Sequence, residues 1–266
     1  MGGRPTTVPF PSAKEYFEPF IADPTELSYG GRYVLLVGGD RLGEIMIGDT
    51  AGIVRWDWGG RGVQVNLAGG AIARFNLSTA QNSLDVLDLT GAVPIDIRLG
   101  PGHTIRTGAW HTSSHLGDDF IDRQMPVHNR TSMDSFKAYY AYVPGPSVRL
   151  YAGTGYAVNK QNMKGRNMLQ FGSEWYGPRV LSDKAQVFAA QDLQSYKRSH
   201  WNPSYNLRGG LRFADSKRIA AAKVFIEYFS GRQYFLQFYD SKETRWTFGI
   251  NFEIGNPVRS MGAEAL

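Results

Sequence analysis

The stretch VQVNLAGGAIARFNL, from Val63 to Leu77, decides the fold. Its odd-numbered positions are apolar or small, whereas its even-numbered positions include Gln64, Asn66 and Arg74. Successive side chains of a β-strand point to opposite faces, so one face of this stretch is apolar and the other is polar. A tilted strand crosses a bilayer with about 9–11 residues, and this stretch is long enough. Repeated around a closed sheet, the pattern is typical of a transmembrane β-barrel.

The same alternation recurs along the chain. The clearest further segments are Leu87–Leu99, Val148–Val158, Leu169–Trp175, Tyr205–Phe213, Ala222–Tyr228 and Trp246–Ile254, and weaker ones are Tyr33–Gly38, Glu44–Trp58, Thr104–His115, Ser135–Val143 and Gln186–Asp192. The sequence therefore predicts an all-β protein, an antiparallel transmembrane β-barrel of about 12 strands, since such barrels favour even numbers. We expect the barrel to span residues 31–255, between an N-terminal segment (1–30) and a polar C-terminal tail (256–266).

The polar face of these strands carries charges of both signs: Arg74, Asp88, Asp96, Arg98, Arg149, Glu174, Arg208, Arg212, Lys223, Glu227, Arg245 and Glu253. In a barrel with few strands the interior is filled by side chains. We therefore predict a charged, largely filled lumen and a structural or interaction role. Two alternatives stay open: a passive pore for small solutes, which needs a continuous wet lumen, and a soluble barrel or sandwich with its apolar face inward.

The N-terminal segment is rich in proline and aromatic residues, which argues against a strand there. We expect it to be irregular, to lie on the barrel or plug it, and to offer a surface for a protein partner. The chain has no Cys, which excludes disulfides, thiolate chemistry and cysteine–zinc sites. Its net charge of +5 is scattered, which argues against nucleic-acid binding and is compatible with membrane lipids or lipopolysaccharide as partners.

Several short motifs resemble a family of Gram-negative outer-membrane proteins, domain of unknown function 1207. The most distinctive is WHTSSHLGDDF, from Trp110 to Phe120, and it is accompanied by FIADP at Phe20–Pro24. The segments Arg149–Ala152 and Gln170–Glu174 extend the resemblance, which covers about Phe17–Ile254. The resemblance implies an outer-membrane β-barrel and leaves the biochemical activity open.

One motif suggests chemistry. His111 and Ser113 stand on the same face of a strand, about 6.5–7 Å apart, close enough for the imidazole to take the hydroxyl proton. The arrangement resembles outer-membrane phospholipase A and the lipid A deacylases, although those lipases place Asn directly after the Ser and Ser114 stands here. A third group must orient the imidazole. We name Asp118 for this role, with Asp119 or Glu174 as alternatives.

The direction of this row depends on its neighbour Trp110. A tryptophan suits the lipid-facing girdle of a barrel, so we expect Trp110 to point outward and the row of His111, Ser113 and His115 to point into the lumen. There the three side chains would either act in catalysis or simply satisfy one another and nearby carboxylates.

A metal site is the other chemical hypothesis. Asp118, Asp119 and His115 together offer oxygen and nitrogen ligands for a divalent cation at the rim, with Ca²⁺ as the cation considered. Otherwise no cofactor is predicted. The glycine-rich segment at Gly59–Gly62 lacks the following helix of a nucleotide loop and is interpreted as a barrel turn.

Overall fold

The computed structural model describes residues 6–11, 15–128, 130–182, 184–214 and 220–254. Nearly all of them belong to one antiparallel sheet. Its strands are β1 (Thr6–Pro9), β2 (Tyr29–Leu36), β3 (Arg41–Trp58), β4 (Arg61–Asn76), β5 (Ser83–Gly100), β6 (His103–Leu116), β7 (Arg130–Gly145), β8 (Val148–Gln161), β9 (Asn167–Val180), β10 (Ala185–Tyr196), β11 (Pro203–Ala214), β12 (Ala220–Arg232) and β13 (Lys242–Ile254). A short helix, α1 (Asp118–Gln124), and single 3₁₀ turns at Lys197–Ser199 and Leu236–Phe238 lie in the connections.

The sheet closes on itself. Each strand from β3 to β13 pairs with its neighbour in the chain, and β13 pairs with β2, which in turn pairs with β3. The thirteen strands less β1 therefore form a closed barrel of twelve, as the sequence predicts. Closure leaves no free backbone edge between these neighbours, which is the condition for a sheet to span a bilayer.

β1 lies outside the closed ring, and here the expectation of no strand before residue 30 was wrong. β3 is 18 residues long whereas β2 has 8, so β3 continues past the end of its neighbour. Thr6 to Pro9 pair with this free edge, opposite Asp57 to Val54. Backbone groups on a free edge need hydrogen-bond partners, and tertiary pairing overrides the unfavourable local composition.

The outer wall of the barrel is apolar. Its exposed large side chains include Ile45, Ile47, Leu67, Leu89, Val93, Phe136, Tyr140, Leu150, Tyr156, Val158, Leu169, Phe171, Trp175, Leu193, Leu207, Val224, Ile226, Trp246, Phe248 and Phe252. Most of the charged side chains on the opposite face of these strands are buried inside the barrel. A soluble barrel would bury the apolar row instead, so the membrane interpretation of the alternation is confirmed. No helix among the described residues is long and apolar enough to cross a membrane.

The two ends of the barrel differ. At one end, which we call the turn rim, strands join through residues 59–60, 101–102 and 146–147. Gly59 and Gly60 turn the chain with positive φ angles of 53° and 79°. At the other end, the loop rim, the connections are mostly longer, and those that follow β6, β10 and β12 contain helical turns. Short turns at one rim and longer loops at the other are the usual asymmetry of membrane barrels.

The apolar wall leads to a first prediction. Ile226, in the middle of β12, is 50% exposed on the outer face. Changing it to lysine should lower the free energy of unfolding by about 2–4 kcal/mol, because a charge near the bilayer midplane loses its water. Urea unfolding of protein refolded in liposomes measures the loss. Val37, 65% exposed in a loop of the loop rim, is the control, and Val37→Lys should be neutral. Equal losses in both variants would contradict a lipid-facing wall.

Candidate functional site

The lumen contains a network of buried ion pairs. Cross-strand partners point inward and bond to each other: Arg106 with Asp96, Arg149 with Glu174 and Arg208 with Glu227, at 2.7, 2.8 and 2.5 Å. These side chains are almost completely removed from water. This arrangement agrees with the prediction that ion pairs occupy the lumen.

The densest part of the network surrounds Glu44. Its carboxylate lies 2.7 Å from Arg74, 2.9 Å from Arg245 and 3.4 Å from Arg32, and it accepts a 2.6 Å hydrogen bond from the Tyr234 hydroxyl. Burying several charges is tolerable only when each has close partners of opposite sign. Glu44 provides that charge for three guanidinium groups at once.

The N-terminal segment runs through the lumen. We call residues 15–28 the plug. Lumen arginines hold its backbone: Arg106 donates to the Phe17 carbonyl at 2.8 Å, and Arg149 donates to the carbonyls of Glu18 and Pro19 at 2.6 and 2.8 Å. Arg208, Asn206 and Arg32 donate in the same way to Ile21, Ala22 and Pro24.

Carboxylates of the wall also bind the plug, by accepting hydrogen bonds from its backbone. Glu174 accepts the backbone N–H of Ile21 at 2.8 Å, and Asp96 accepts that of Phe17 at 3.3 Å. A chain without regular structure needs partners for its buried N–H and C=O groups, and the wall supplies them. Of the two expected positions of this segment, on the barrel or plugging it, the structure shows the second for residues 15–28.

Apolar contacts reinforce the plug. Phe17 and Phe20 pack against Tyr139, Tyr151 and Met168 of the wall, with ring centroids of Phe20 and Tyr151 4.4 Å apart. Further along, Ile21 and Ala22 pack against Phe188, Ala190 and Phe225. The inward-facing aromatic residues of the barrel thus hold the plug through apolar packing.

Glu26 of the plug has no salt bridge among the described residues. Burial raises the pKa of its carboxyl to about 7, because removal from water disfavours the charged form more than Arg106 nearby favours it.

A second insertion closes the lumen at the loop rim. Residues 233–241 fold into the barrel, where Tyr234 and Phe235 pack with Met46, Ile72 and Val86 of the wall. The backbone N–H of Leu236 donates to Asp88 at 3.1 Å, and the Tyr234 hydroxyl reaches Glu44. Burial raises the pKa of Tyr234 to about 12. The plug and this loop therefore both occupy the barrel interior.

The expected direction of the His–Ser row was wrong. Trp110 points into the lumen, where its ring meets Tyr139 edge-on with centroids 6.4 Å apart. His111 is exposed on the outer face. The residue that fixes this is Arg106, which shares a face with Trp110 and pairs with Asp96 inside the barrel. A buried ion pair outweighs the preference of one tryptophan for the membrane interface.

The structure gives His111 a partner that the sequence analysis did not name. Its Nδ1 lies 2.6 Å from Asp134 Oδ1 on the neighbouring strand β7, and Asn159 of β8 donates to the other carboxylate oxygen at 3.0 Å. Ser113 lies two residues further along the same face of β6 and is only 8% exposed. Asp118 begins α1 and is exposed, and Glu174 lies inside the lumen, bonded to Arg149.

This polar group sits where the apolar wall ends. On β7 the outer face changes from Phe136, 58% exposed, to Asp134 and Ser132 toward the loop rim. On β6 the outer face changes from Ala109 to the polar His111 at the level where β7 changes from Phe136 to Asp134. The position corresponds to the level of lipid headgroups at the edge of the hydrocarbon layer.

The proposed metal ligands do not converge. Among the residues that the structure describes, no group of three or more His, Cys, Asp or Glu side chains is placed to hold a metal ion. Asp118 and Asp119 lie in the first turn of α1, and His115 stands on β6 opposite Arg130. The site of Asp118, Asp119 and His115 that the sequence suggested is therefore not assembled in this structure.

Comparison with known proteins identifies the family. A family model described as "Protein of unknown function (DUF1207)" matches residues 5–254. The chain belongs to this family. None of the curated proteins compared with the DUF1207 chain matches it in sequence.

Solved structures similar to the DUF1207 chain are porins. The KdgM porin in complex with disordered oligogalacturonate is 8% identical, with a TM-score of 0.48 over 86% of this chain and 99% of that chain. The anion-selective porin from Comamonas acidovorans is 11% identical, with a TM-score of 0.38 over 85% of this chain and 96% of that chain. At this level of identity the likeness concerns the barrel fold alone.

Proposed function

We propose that this DUF1207 protein is an outer-membrane barrel of a Gram-negative bacterium that acts as a closed structural or interaction protein rather than as an open pore. The plug carries the proposal: its backbone is bonded to at least four lumen arginines, so it is part of the barrel interior. A passive pore would require the plug and the 233–241 loop to leave together.

Partners of such a barrel would bind outside the lumen. β1 is exposed along its whole length beside the turn rim, and Phe10 is 75% exposed. We propose that a protein partner binds this part of the N-terminal segment, while lipids or lipopolysaccharide contact the wall.

Conductance tests the closed state. Full-length protein inserted in planar bilayers should give no resolved current steps, and proteoliposomes should not swell in small sugars. Flotation of the proteoliposomes and protection from protease confirm insertion. Stable ohmic steps from inserted protein would favour the pore instead.

A second function is supported by the outer-face group of Ser113, His111 and Asp134. With Nδ1 of His111 bonded to Asp134, Nε2 is free to act as a base. We propose a lipid acyl hydrolase in which the Ser113 hydroxyl attacks an ester carbonyl while Nε2 takes its proton. That proton then passes to the leaving alcohol, and water releases the fatty acid from the acyl-serine. The place of this group at the edge of the apolar wall suits an ester substrate in the membrane.

Fatty-acid release from mixed phospholipid and lipid A, with and without calcium, tests the hydrolase. Ser113→Ala should abolish release and Asp134→Asn should reduce it by about tenfold or more. Ser132→Ala is the control, because Ser132 stands opposite Ser113 on β7 and has no role in the proposed reaction. Folded wild-type protein that releases no fatty acid would refute the hydrolase and leave the closed barrel.

A further inference from the structure

Two cations in the lumen lack a carboxylate partner among the described residues. Lys137, inward-facing on β7, places its ammonium 5.4 Å from the centre of the Trp110 ring. Arg198, in the 3₁₀ turn after β10, stacks 3.7 Å over Tyr196 and directs Nη1 toward the Met133 sulfur at 3.8 Å. Neither forms a salt bridge. The lumen arginines Arg32, Arg74, Arg106, Arg149, Arg208 and Arg245 all bond to carboxylates.

Both cations line the same space. A cavity of about 100 Å³ lies between the plug and the 233–241 loop, and a second one of about 30 Å³ adjoins it. Lys137, Arg198, Met133 and Tyr196 line both. A cavity volume of about 10–15 Å³ holds one water molecule. The larger cavity therefore has room for several waters or for one small molecule.

The walls of this space are suited to a polar ligand. Ser135, 5% exposed, lines the smaller cavity, and its hydroxyl oxygen is buried without a hydrogen-bond partner among the described residues. Trp110 and Tyr139 form an aromatic side of the larger cavity. The buried Ser135 hydroxyl, the buried Arg198 and the partly buried Lys137 together present donors to this space.

The carboxylates at the larger cavity are already engaged. Asp88 accepts hydrogen bonds from the Ser114 hydroxyl and the Leu236 N–H. Asp23 accepts from Thr25 and Gln170. Asp23 and Glu26 favour the charged form of Lys137 only through space, and Asp88 does the same for Arg198. None of these three carboxylates therefore serves as a bonded counter-ion for Lys137 or Arg198. Burying a charge without a bonded partner is strongly unfavourable, and a ligand of opposite charge removes that cost.

We propose that Lys137 and Arg198 form a binding site for a small oxyanion, a phosphate or a carboxylate, inside the lumen between the plug and the 233–241 loop. The Ser135 hydroxyl contributes a further donor, and Trp110 and Tyr139 cover the ligand. The site is independent of the outer-face group of Ser113 and does not require the barrel to conduct.

Ligand-dependent stability tests the site. Full-length protein in detergent micelles is unfolded with urea in sodium phosphate, in sodium acetate and in sodium chloride at equal ionic strength. Phosphate, acetate or both should raise the urea midpoint in a saturable way, and the two arms distinguish a phosphate from a carboxylate ligand. Lys137→Met and Arg198→Met should weaken the response at least tenfold in anion concentration. Lys197→Met is the control, because Lys197 is the exposed neighbour of Arg198 and should respond like wild type.

A second readout separates a ligand site from a structural role. In chloride alone, Lys137→Met and Arg198→Met should be at least as stable as wild type, because each removes a charge that has no bonded carboxylate among the described residues. Wild-type protein that responds to neither anion, or variants that respond as well as Lys197→Met, would overturn the proposal. Variants that lose stability or fail to fold in chloride would also overturn it, since the cations would then be structural.

Discussion

Replacing Glu44 by leucine is expected to lower the free energy of unfolding by about 3–5 kcal/mol, because it removes the carboxylate shared by three guanidinium groups of a buried charge network. Arg32, Arg74 and Arg245 would lose the carboxylate that they share. Tyr234 would lose its acceptor, which loosens the loop that closes the lumen. Urea unfolding in liposomes, followed by tryptophan fluorescence, measures the change.

Asp49 offers a matched control on the same strand. It lies on the outer face of β3, is exposed, and bonds only to the backbone N–H of Thr50 among the described residues. Asp49→Leu should cost little or nothing. If Asp49→Leu and Glu44→Leu reduced stability equally, the loss would come from removing any carboxylate of β3 and not from the network around Glu44.

The second large effect concerns Arg149 and release of the plug. Arg149→Met removes the donor to the Glu18 and Pro19 carbonyls and leaves Glu174 without its partner. Loss of about 3 kcal/mol of plug binding corresponds to roughly a 100-fold rise in the population with the plug released. Because the chain has no Cys, a cysteine introduced at Ala22, which is 0% exposed, reports this release through its rate of maleimide labelling.

Two controls make the labelling specific. A cysteine at Thr7, in exposed β1, should label quickly with or without Arg149. Arg74→Met also breaks buried ion pairs but touches no plug backbone, so it should lower stability while the cysteine at position 22 stays protected. Equal labelling of position 22 in Arg74→Met and Arg149→Met would show that general loosening of the barrel, and not the grip of Arg149, frees the plug.

The strand pattern was readable because the membrane imposes it on each strand separately. Leu67 faces outward and Arg74 points into the lumen whatever their neighbours are. A charge is unfavourable in the hydrocarbon layer, whereas the lumen supplies partners for it. β6 was harder, because both of its faces mix polar and apolar residues near the loop rim. Arg106 was the available signal: it lies four residues before Trp110, on the same face, and a charge predicts the inward direction better than a tryptophan predicts the outward one.

The sequence by itself determined the alternating strands and their approximate number, because these follow from a period of two along single strands. Which row faces inward, the apolar one or the one with the charges, was settled by the exposed apolar wall of the structure. Only the tertiary structure decided what those charges bind. The plug, the pairing of His111 with Asp134 and the two cations without carboxylate partners depend on which residues meet across strands and through the lumen. Glu44 and Arg245 are 201 positions apart in the chain, and no local pattern records that closure brings them within 2.9 Å.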